Sequence, residues 1–214
     1  MSNESENEKE DRSEWGVQRW TQHAREAWIY DNDYHPNSDE GLDFVNANLE
    51  GANLEKVFLE GASMNNANLK GANMIGAYLE CVTLRDADLS GANLSNVRGG
   101  KIGFQKANLE NAIMEAINCQ KSNLNGANLQ QANLSKACFR SATLRKANLR
   151  DANLEGANLS YADVRGADLR GANLNGANLT GAKFAAGMDM FDKIEGANLE
   201  GHDLNDLRKR VAGF

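Results

Sequence analysis

The 214-residue sequence is poor in residues that interrupt or crosslink a fold, with one proline and three cysteines. Cys81, Cys119 and Cys138 are odd in number and match no metal-ligand spacing, so they predict free thiols instead of a disulfide framework. No apolar run reaches the roughly 18 residues that a membrane helix requires. The N-terminal stretch MSNESENEKEDRSEWG is acidic where a signal peptide would be basic and then apolar, which predicts a cytoplasmic protein without a membrane partner.

Familiar arrangements of catalytic and binding side chains are also missing. His23, His35 and His202 have no spacing that would bring them to one metal ion. The sequence contains no G-x-x-x-x-G-K-[ST] phosphate-binding loop, and serine and aspartate recur so often that a Ser-His-Asp triad cannot be picked out. The sequence therefore predicts a protein that is not an enzyme, with no catalytic, cofactor-binding or metal site.

Charge is concentrated at one end of the chain. The net charge at pH 7 is −7, and residues 1–43 contribute −8 of it, which leaves +1 for residues 44–214. The long remainder of the chain is thus nearly neutral, and this argues against a function that needs a strong uniform field along it.

What the sequence has in abundance is a five-residue period. From Phe44 to Leu204, every fifth residue is a repeat centre, 33 positions in one frame, and only Gly99 and Asp189 are clearly not apolar. In an α-helix each five-residue step would rotate about 140° net, so the centres would scatter around the cylinder. In a flat strand, residues five apart would alternate between faces. The chain must therefore turn once per repeat.

The residues around each centre indicate how that turn is made. Alanine usually stands two before the centre, as at Ala47 and Ala152, with Asn or Asp between them. On an extended segment the alanine and the centre share a face, while the Asn points the other way. A polar residue and then glycine often follow, as in Glu50-Gly51, and supply a corner. Several such sides must close into a coil, and coils must stack about 4.8 Å apart to bury their interior.

The motif A-(N/D)-L-x-x, present here as ANLEG, ADVRG, ADLRG and ANLNG, resembles the pentapeptide repeat family over residues 42–204. The resemblance implies an all-β solenoid, a right-handed quadrilateral β-helix with four pentapeptides per coil and about eight coils. Some members of that family are DNA mimics that bind gyrase and protect it from inhibitors, so the resemblance also implies this function as a candidate.

Four segments follow from these patterns. We predict a disordered acidic tail, a helical N-terminal cap with a linker, the pentapeptide-repeat β-helix and a short C-terminal cap helix, at residues 1–12, 13–41, 42–204 and 205–214. Trp20 and Trp28 follow helical spacing, and we expect them to be buried near Phe44. The deviations at 97–103 and 185–195 indicate either repacked coils or outward loops.

Gly99 lies in one column with Cys119 and Phe139 if residues 20 apart stack. The larger Val97 and Ile117 stand where alanine is usual, so we expect them to fill the missing volume in a close-packed interior.

Basic residues on the middle coils form a candidate interaction patch, comprising Lys136, Arg140, Arg145, Lys146, Arg150, Arg165 and Arg170. Stacking by 20 would place Arg145 beneath Arg165 and Arg150 beneath Arg170. Two interpretations remain open: a solvated face relieved by nearby carboxylates such as Asp163 and Asp168, or a surface for an anionic partner. No aromatic side chain interleaves with the arginines, so direct nucleic-acid binding is not expected.

The sequence therefore predicts a rigid, rod-like scaffold or protein-interaction module that binds another protein. The alternative is a DNA mimic acting on gyrase or topoisomerase, which the near-neutral repeats do not favour. An uncovered end of the solenoid would allow a homodimer.

Overall fold

The computed structural model describes residues 42–184 and, nearer the N terminus, residues 16, 18–19, 21–22 and 24. Within 42–184 the chain is joined by 25 parallel β-bridges, each one residue wide, and every bridge connects a residue to the one 20 positions later. The bridging residues recur about every five positions, beginning with Asp43, Asn48 and Asn53. A coil of 20 residues with a bridge in each pentapeptide has four sides, so the predicted quadrilateral solenoid is confirmed.

Four outer faces result from this geometry, and we number them by the centre that each contains in the first coil. Face 1 carries Phe44 and every twentieth residue after it, and faces 2, 3 and 4 begin with Leu49, Leu54 and Leu59. The described bridges extend from Asp43 to Lys183, which is seven steps of 20 residues and a rod of roughly 34 Å at the usual strand spacing.

The core contains the repeat centres and the alanines two residues before them. Every centre from Phe44 to Phe184 is apolar except Gly99, and Leu49, Leu89 and Leu154 are typical in being completely buried. Their backbone groups bond to the next coil: the Leu49 N–H donates to the Asn68 carbonyl over 2.7 Å, and the Asn68 N–H donates to the Ala47 carbonyl over 2.9 Å. A single five-residue side therefore bonds to the next coil while both of its apolar side chains face inward.

Each corner is a β-turn with a left-handed residue. The Ala52 N–H donates to the Leu49 carbonyl over 3.0 Å, and Gly51 between them has a φ of 63°. The same corner position has a positive φ in all 28 repeats from Asn46 to Gly181, and in 17 of them it is not glycine. Positive φ at the third residue alone is typical of a type II turn. Positive φ is thus a requirement of every corner, which glycine meets freely, asparagine at little cost and lysine at a cost of about 1–2 kcal/mol.

Gly99 interrupts the repeat without opening a loop. Bridges connect Tyr78 to Arg98, Gly100 to Gln120 and Thr83 to Gly103, so the frame continues through residues 97–103. The Ile102 N–H donates to Ser122 Oγ over 3.0 Å instead of to the preceding centre.

The space that a side chain at Gly99 would need is taken by Ile102. A Cβ at Gly99 would lie 2.9 Å from Ile102 Cδ1 and 3.1 Å from the Leu79 carbonyl carbon. Val97 and Ile117, which the sequence predicts to compensate for the small residues, are both buried in the core. Close packing is therefore preserved, with Ile102 as the residue beside Gly99.

The N-terminal residues that the structure describes include five with helical backbone, namely Gln18, Arg19, Thr21, Gln22 and Ala24. Ala24 is completely buried and belongs to the core cluster. The predictions for residues 1–12, Trp20, Trp28, 185–195 and 205–214 concern residues outside those described. Over the described part of the chain, no helix is long and apolar enough to cross a membrane.

Candidate interaction faces

The most regular outer feature is a ladder of asparagines that the fold itself satisfies. On face 2, Asn128 Nδ2 donates to Asn108 Oδ1 over 3.2 Å, while Asn128 Oδ1 accepts from the Gln130 N–H over 3.3 Å. Faces 2 and 3 repeat this arrangement, as at Asn173 and Asn153. These amides connect coils and cap turns, so we assign them a structural role.

The burial of each cysteine accounts for the properties of its thiol. All three thiols are free: Cys81 is exposed, Cys138 is partly buried and Cys119 is buried. Burial raises the pKa of the Cys119 thiol strongly, and the neighbouring Cys138 raises it further, whereas a hydrogen bond with Ser122 lowers it. Among the described residues no group of His, Cys, Asp and Glu side chains could hold a metal ion. His23, His35 and His202 lie outside those residues.

Charge divides the described solenoid into two halves. Residues 42–104 carry seven acidic and five basic side chains, whereas residues 105–184 carry six acidic and ten basic ones. Between residues 116 and 150 there are six basic side chains and no acidic one. The C-terminal coils therefore present a positive surface.

The structure distributes the seven residues of the candidate patch over several sides of the rod. Arg145 and Arg165 lie on face 1, with Lys146 at the corner that follows. Arg150 and Arg170 lie on face 2, and their backbone N–H groups donate to the side chains of Asn148 and Asp168. The five basic residues lie in the turns that bound face 2, three in the turn from face 1 and two in the turn to face 3.

The other two residues of the patch are placed differently. Lys136 is at the corner between faces 3 and 4, diagonally across the rod, where its Nζ lies 3.4 Å from Glu115 Oε1. Arg140 lies on face 4, and its carbonyl accepts a hydrogen bond from the Lys121 N–H over 2.9 Å.

Two aspartates, Asp163 buried and Asp168 partly buried, pair with three of the arginines. Asp163 Oδ2 accepts from Arg145 Nε and from an Arg165 terminal nitrogen, each over 2.6 Å. Asp168 Oδ1 accepts from Arg170 Nε over 2.8 Å, and its second oxygen accepts from the same guanidinium. The Asp163 side chain is only 10% exposed, whereas those of Arg145 and Arg165 are 51% and 45% exposed. The carboxylate is thus enclosed beneath cationic groups that face solvent.

Several members of this positive surface were missed by sequence reasoning. Lys183 bridges directly to Asp163 in the next coil of face 1. Lys106 and Lys121 occupy corners on either side of face 1, and both have positive φ. Tyr161 lies at the same corner column as Lys121 and is 56% exposed. Sorting the sequence into columns of 20 would have found all four.

A second unusual surface lies on face 4 of the first coils. The rings of Phe58 and Tyr78 are stacked with centroids 4.1 Å apart and planes 8° apart. The guanidinium carbon of Arg98 lies 5.4 Å from the Tyr78 centroid, within the range of a cation–π contact. This column replaces the asparagine ladder with an aromatic one that continues the same 20-residue stacking.

Comparison with known proteins agrees with the repeat geometry. A profile of pentapeptide repeats matches the chain in eight copies, over segments that together span residues 43–98 and 104–184. The gap between them contains Gly99 and the altered turn that follows it. No curated protein is significantly similar to the chain.

Three solved structures show the range of similarity. HetL, a pentapeptide repeat protein involved in heterocyst differentiation regulation from the cyanobacterium Nostoc sp. strain PCC 7120, is 36% identical, with 68% of this chain and 69% of HetL covered and a TM-score of 0.45. Another pentapeptide repeat protein from Nostoc PCC 7120 is 35% identical, over 47% of this chain and 81% of that protein, with a TM-score of 0.40. QnrB1, a plasmid-mediated fluoroquinolone resistance protein, is 19% identical, over 71% of this chain and 86% of QnrB1, with a TM-score of 0.52. At that identity the likeness to QnrB1 concerns the fold alone.

Proposed function

Because the chain belongs to the pentapeptide repeat family, whose members form right-handed quadrilateral β-helices and are typically not enzymes, we propose that it is a rigid rod that binds another protein through its outer faces. The interior is filled by its own alanines and leucines, so recognition has to occur on the outside. The ladder amides on faces 2 and 3 are occupied by the fold, which leaves the charged and aromatic columns to make contacts.

One observation supports the choice of surface. Residues 116–150 have no acidic side chain and supply Arg145, Lys146 and Arg150 to the turns that bound face 2. The coil that follows adds Arg165 and Arg170, which pair with Asp163 and Asp168. Like charges on adjacent coils repel each other, so an acidic partner would relieve a cost that the free protein bears. We therefore propose that the partner presents acidic side chains to the surface formed by Arg145, Lys146, Arg150, Arg165 and Arg170.

Mimicry of DNA toward gyrase is the alternative that the family suggests. A mimic needs dense negative charge along the rod, but residues 42–184 carry 13 acidic and 15 basic side chains. The charge of the described coils therefore favours the scaffold.

A gyrase supercoiling assay separates these two functions. We expect the purified protein neither to inhibit supercoiling nor to protect gyrase from a fluoroquinolone. Inhibition at low micromolar protein that persists when the four arginines at 145, 150, 165 and 170 are replaced by glutamine would establish the mimic and overturn the scaffold.

A further inference from the structure

Arg145, Asp163 and Arg165 form a triad across two coils of face 1. Asp163 accepts four hydrogen bonds, one from Arg145 Nε, two from the Arg165 guanidinium and one from the Arg165 backbone N–H. The Asp163 carboxylate therefore receives all four of these hydrogen bonds from residues on its own face. A carboxylate held this way fixes the orientation of both guanidinium groups.

The two arginines keep donors for a further ligand. A guanidinium has five N–H groups, and Arg145 uses only Nε–H toward Asp163, while Arg165 uses Nε–H and one terminal N–H. Both side chains are about half exposed, so these remaining donors reach solvent. Lys146 at the adjoining corner and Lys183 on the next coil add positive charge around them.

We propose that this triad is an oxyanion site that binds a carboxylate side chain from an acidic segment of a protein partner, with Asp163 as its positioning residue. The proposal rests on the proposed function, since it specifies which residues of the positive surface bind most strongly. Two guanidinium groups held against one buried carboxylate keep further N–H donors, and guanidinium donors suit the planar, two-oxygen geometry of a second carboxylate.

Charge favours a carboxylate over a phosphate or a nucleic acid. The triad has a net charge of +1 because Asp163 offsets one of the two arginines, and a single carboxylate neutralises it. A phosphate dianion would leave the site with a net charge of −1, and Asp163 beneath the site would repel it more strongly than it repels a carboxylate. A nucleic acid needs a stripe of unneutralised cations, whereas Asp163 and Asp168 offset half the charge of Arg145, Arg150, Arg165 and Arg170.

The site can be tested by NMR of the arginine Nε–H groups in the full-length protein. A short oligoglutamate peptide, inorganic phosphate and a short duplex DNA would each be titrated at low salt. We expect the peptide to shift the Arg145 and Arg165 signals and to bind more tightly than phosphate or DNA. Arg145→Gln and Arg165→Gln should each weaken peptide binding roughly tenfold or more, the loss typical of a charge-assisted hydrogen bond.

Arg85→Gln is the matched control, because Arg85 occupies the same column of face 1 and pairs with Asp86 over 3.2 Å at an exposed site. It should leave peptide affinity unchanged. If Arg85→Gln and Arg145→Gln lost the same peptide affinity, the loss would reflect the net charge of the protein and the proposed site would be wrong. Phosphate or DNA binding more tightly than the peptide would likewise overturn the assignment of the ligand.

Asp163→Asn separates positioning from net charge. The substitution makes the surface more positive, so electrostatic attraction alone predicts tighter peptide binding. If Asp163 orients the arginines, peptide binding should weaken several-fold while phosphate binding strengthens, and melting curves would confirm that the variant is folded. Tighter peptide binding by Asp163→Asn would contradict the positioning role.

The proposed function and the triad can fail separately. A partner captured equally by the wild-type protein and by Arg145→Gln would retain the scaffold and reject the triad. Peptide binding that depends on the triad, in a protein that captures no partner from extract, would support the site and reject the scaffold.

Discussion

Asn148 donates its side-chain amide to Oδ1 of Asn128, 20 residues earlier in the chain, over 2.9 Å. Asn128 donates in the same way to Asn108, and Asn108 donates to Asp88 over 3.1 Å. The same Oδ1 atoms accept backbone N–H groups two residues ahead, as Asn128 does from Gln130. Each amide therefore connects two coils and caps one turn, which is why Asn and Asp dominate this position of the repeat.

Asn128→Ala should destabilise the protein by about 1–3 kcal/mol, because it removes one acceptor and one donor of the ladder together with the cap on the Gln130 N–H. Asn175→Ala is the control, since that side chain forms no hydrogen bond with the described residues. Urea unfolding of both variants measures the difference. Equal midpoints would show that the ladder contributes nothing to stability.

Leu154→Asp should unfold several coils, because Leu154 is completely buried and an unpaired carboxylate there has no partner. A buried, uncompensated charge of this kind costs about 3–5 kcal/mol. Ser135→Asp places the same carboxylate at an outward position of face 3 and should change the melting temperature little. Thermal melting that left Leu154→Asp close to wild type would show the repeat frame to be misassigned.

Gly51 and Gly99 should restrict substitution for different reasons, backbone conformation at Gly51 and lack of space at Gly99. Gly51 has a φ of 63° and open space where a Cβ would lie, so Gly51→Asn should be tolerated while Gly51→Val costs about 1–2 kcal/mol from backbone strain. Gly99→Ala should cost more than Gly51→Asn, because its Cβ would meet Ile102 and the Leu79 backbone. Denaturant unfolding ranks the three variants, and a harmless Gly99→Ala would contradict the packing around Ile102.

Much of the fold could be predicted from the sequence because the five-residue period keeps one frame along most of the chain. The run of centres from Phe44 to Leu204 fixes the frame, and alanine two before each centre fixes which side chains face inward. The corner conformation could not be predicted, because Lys56, Cys81 and Lys101 share the positive φ of Gly51 although they are poor signals for it. Backbone geometry imposed by the stacked coils overrides the local preference of those residues.

Thiol reactivity should follow burial. Cys81 is exposed and should react rapidly with a thiol reagent, whereas Cys119 should react only after unfolding because burial raises its pKa and hides its sulfur. A native protein in which Cys119 reacts as fast as Cys81 would contradict its place in the core.

The raised pKa of Cys119 has a consequence for stability at alkaline pH. The folded state disfavours the Cys119 thiolate, so stability is fully present below the pKa of the unfolded thiol, about 8.5, and is lost as pH rises above it. Cys119→Ser should remove that part of the alkaline decline. Identical pH profiles of unfolding free energy for wild type and variant would show that Cys119 does not contribute.

Only part of the positive surface could be predicted from the sequence. Arg145 and Arg165 could be paired by their separation of 20, but the sequence does not reveal that both bind the buried Asp163. Lys136 and Lys146 are only ten residues apart in the sequence, yet they lie at diagonally opposite corners of the rod. Five residues are enough for the chain to turn onto the next face. Residues that are close in the sequence therefore need not be close in space, because one repeat forms only one side of a coil.

Quantitative affinity capture from native cell extract decides whether the rod binds a protein through its positive C-terminal coils. The bait proteins are the wild type, a variant with glutamine at Arg145, Arg150, Arg165 and Arg170, and a control with glutamine at Lys56, Lys70, Arg85 and Arg98 of the N-terminal coils. We predict that one captured protein is retained by the wild type and the control and is lost from the first variant, and that this capture weakens with salt. Equal capture by all three bait proteins would contradict binding through the positive coils.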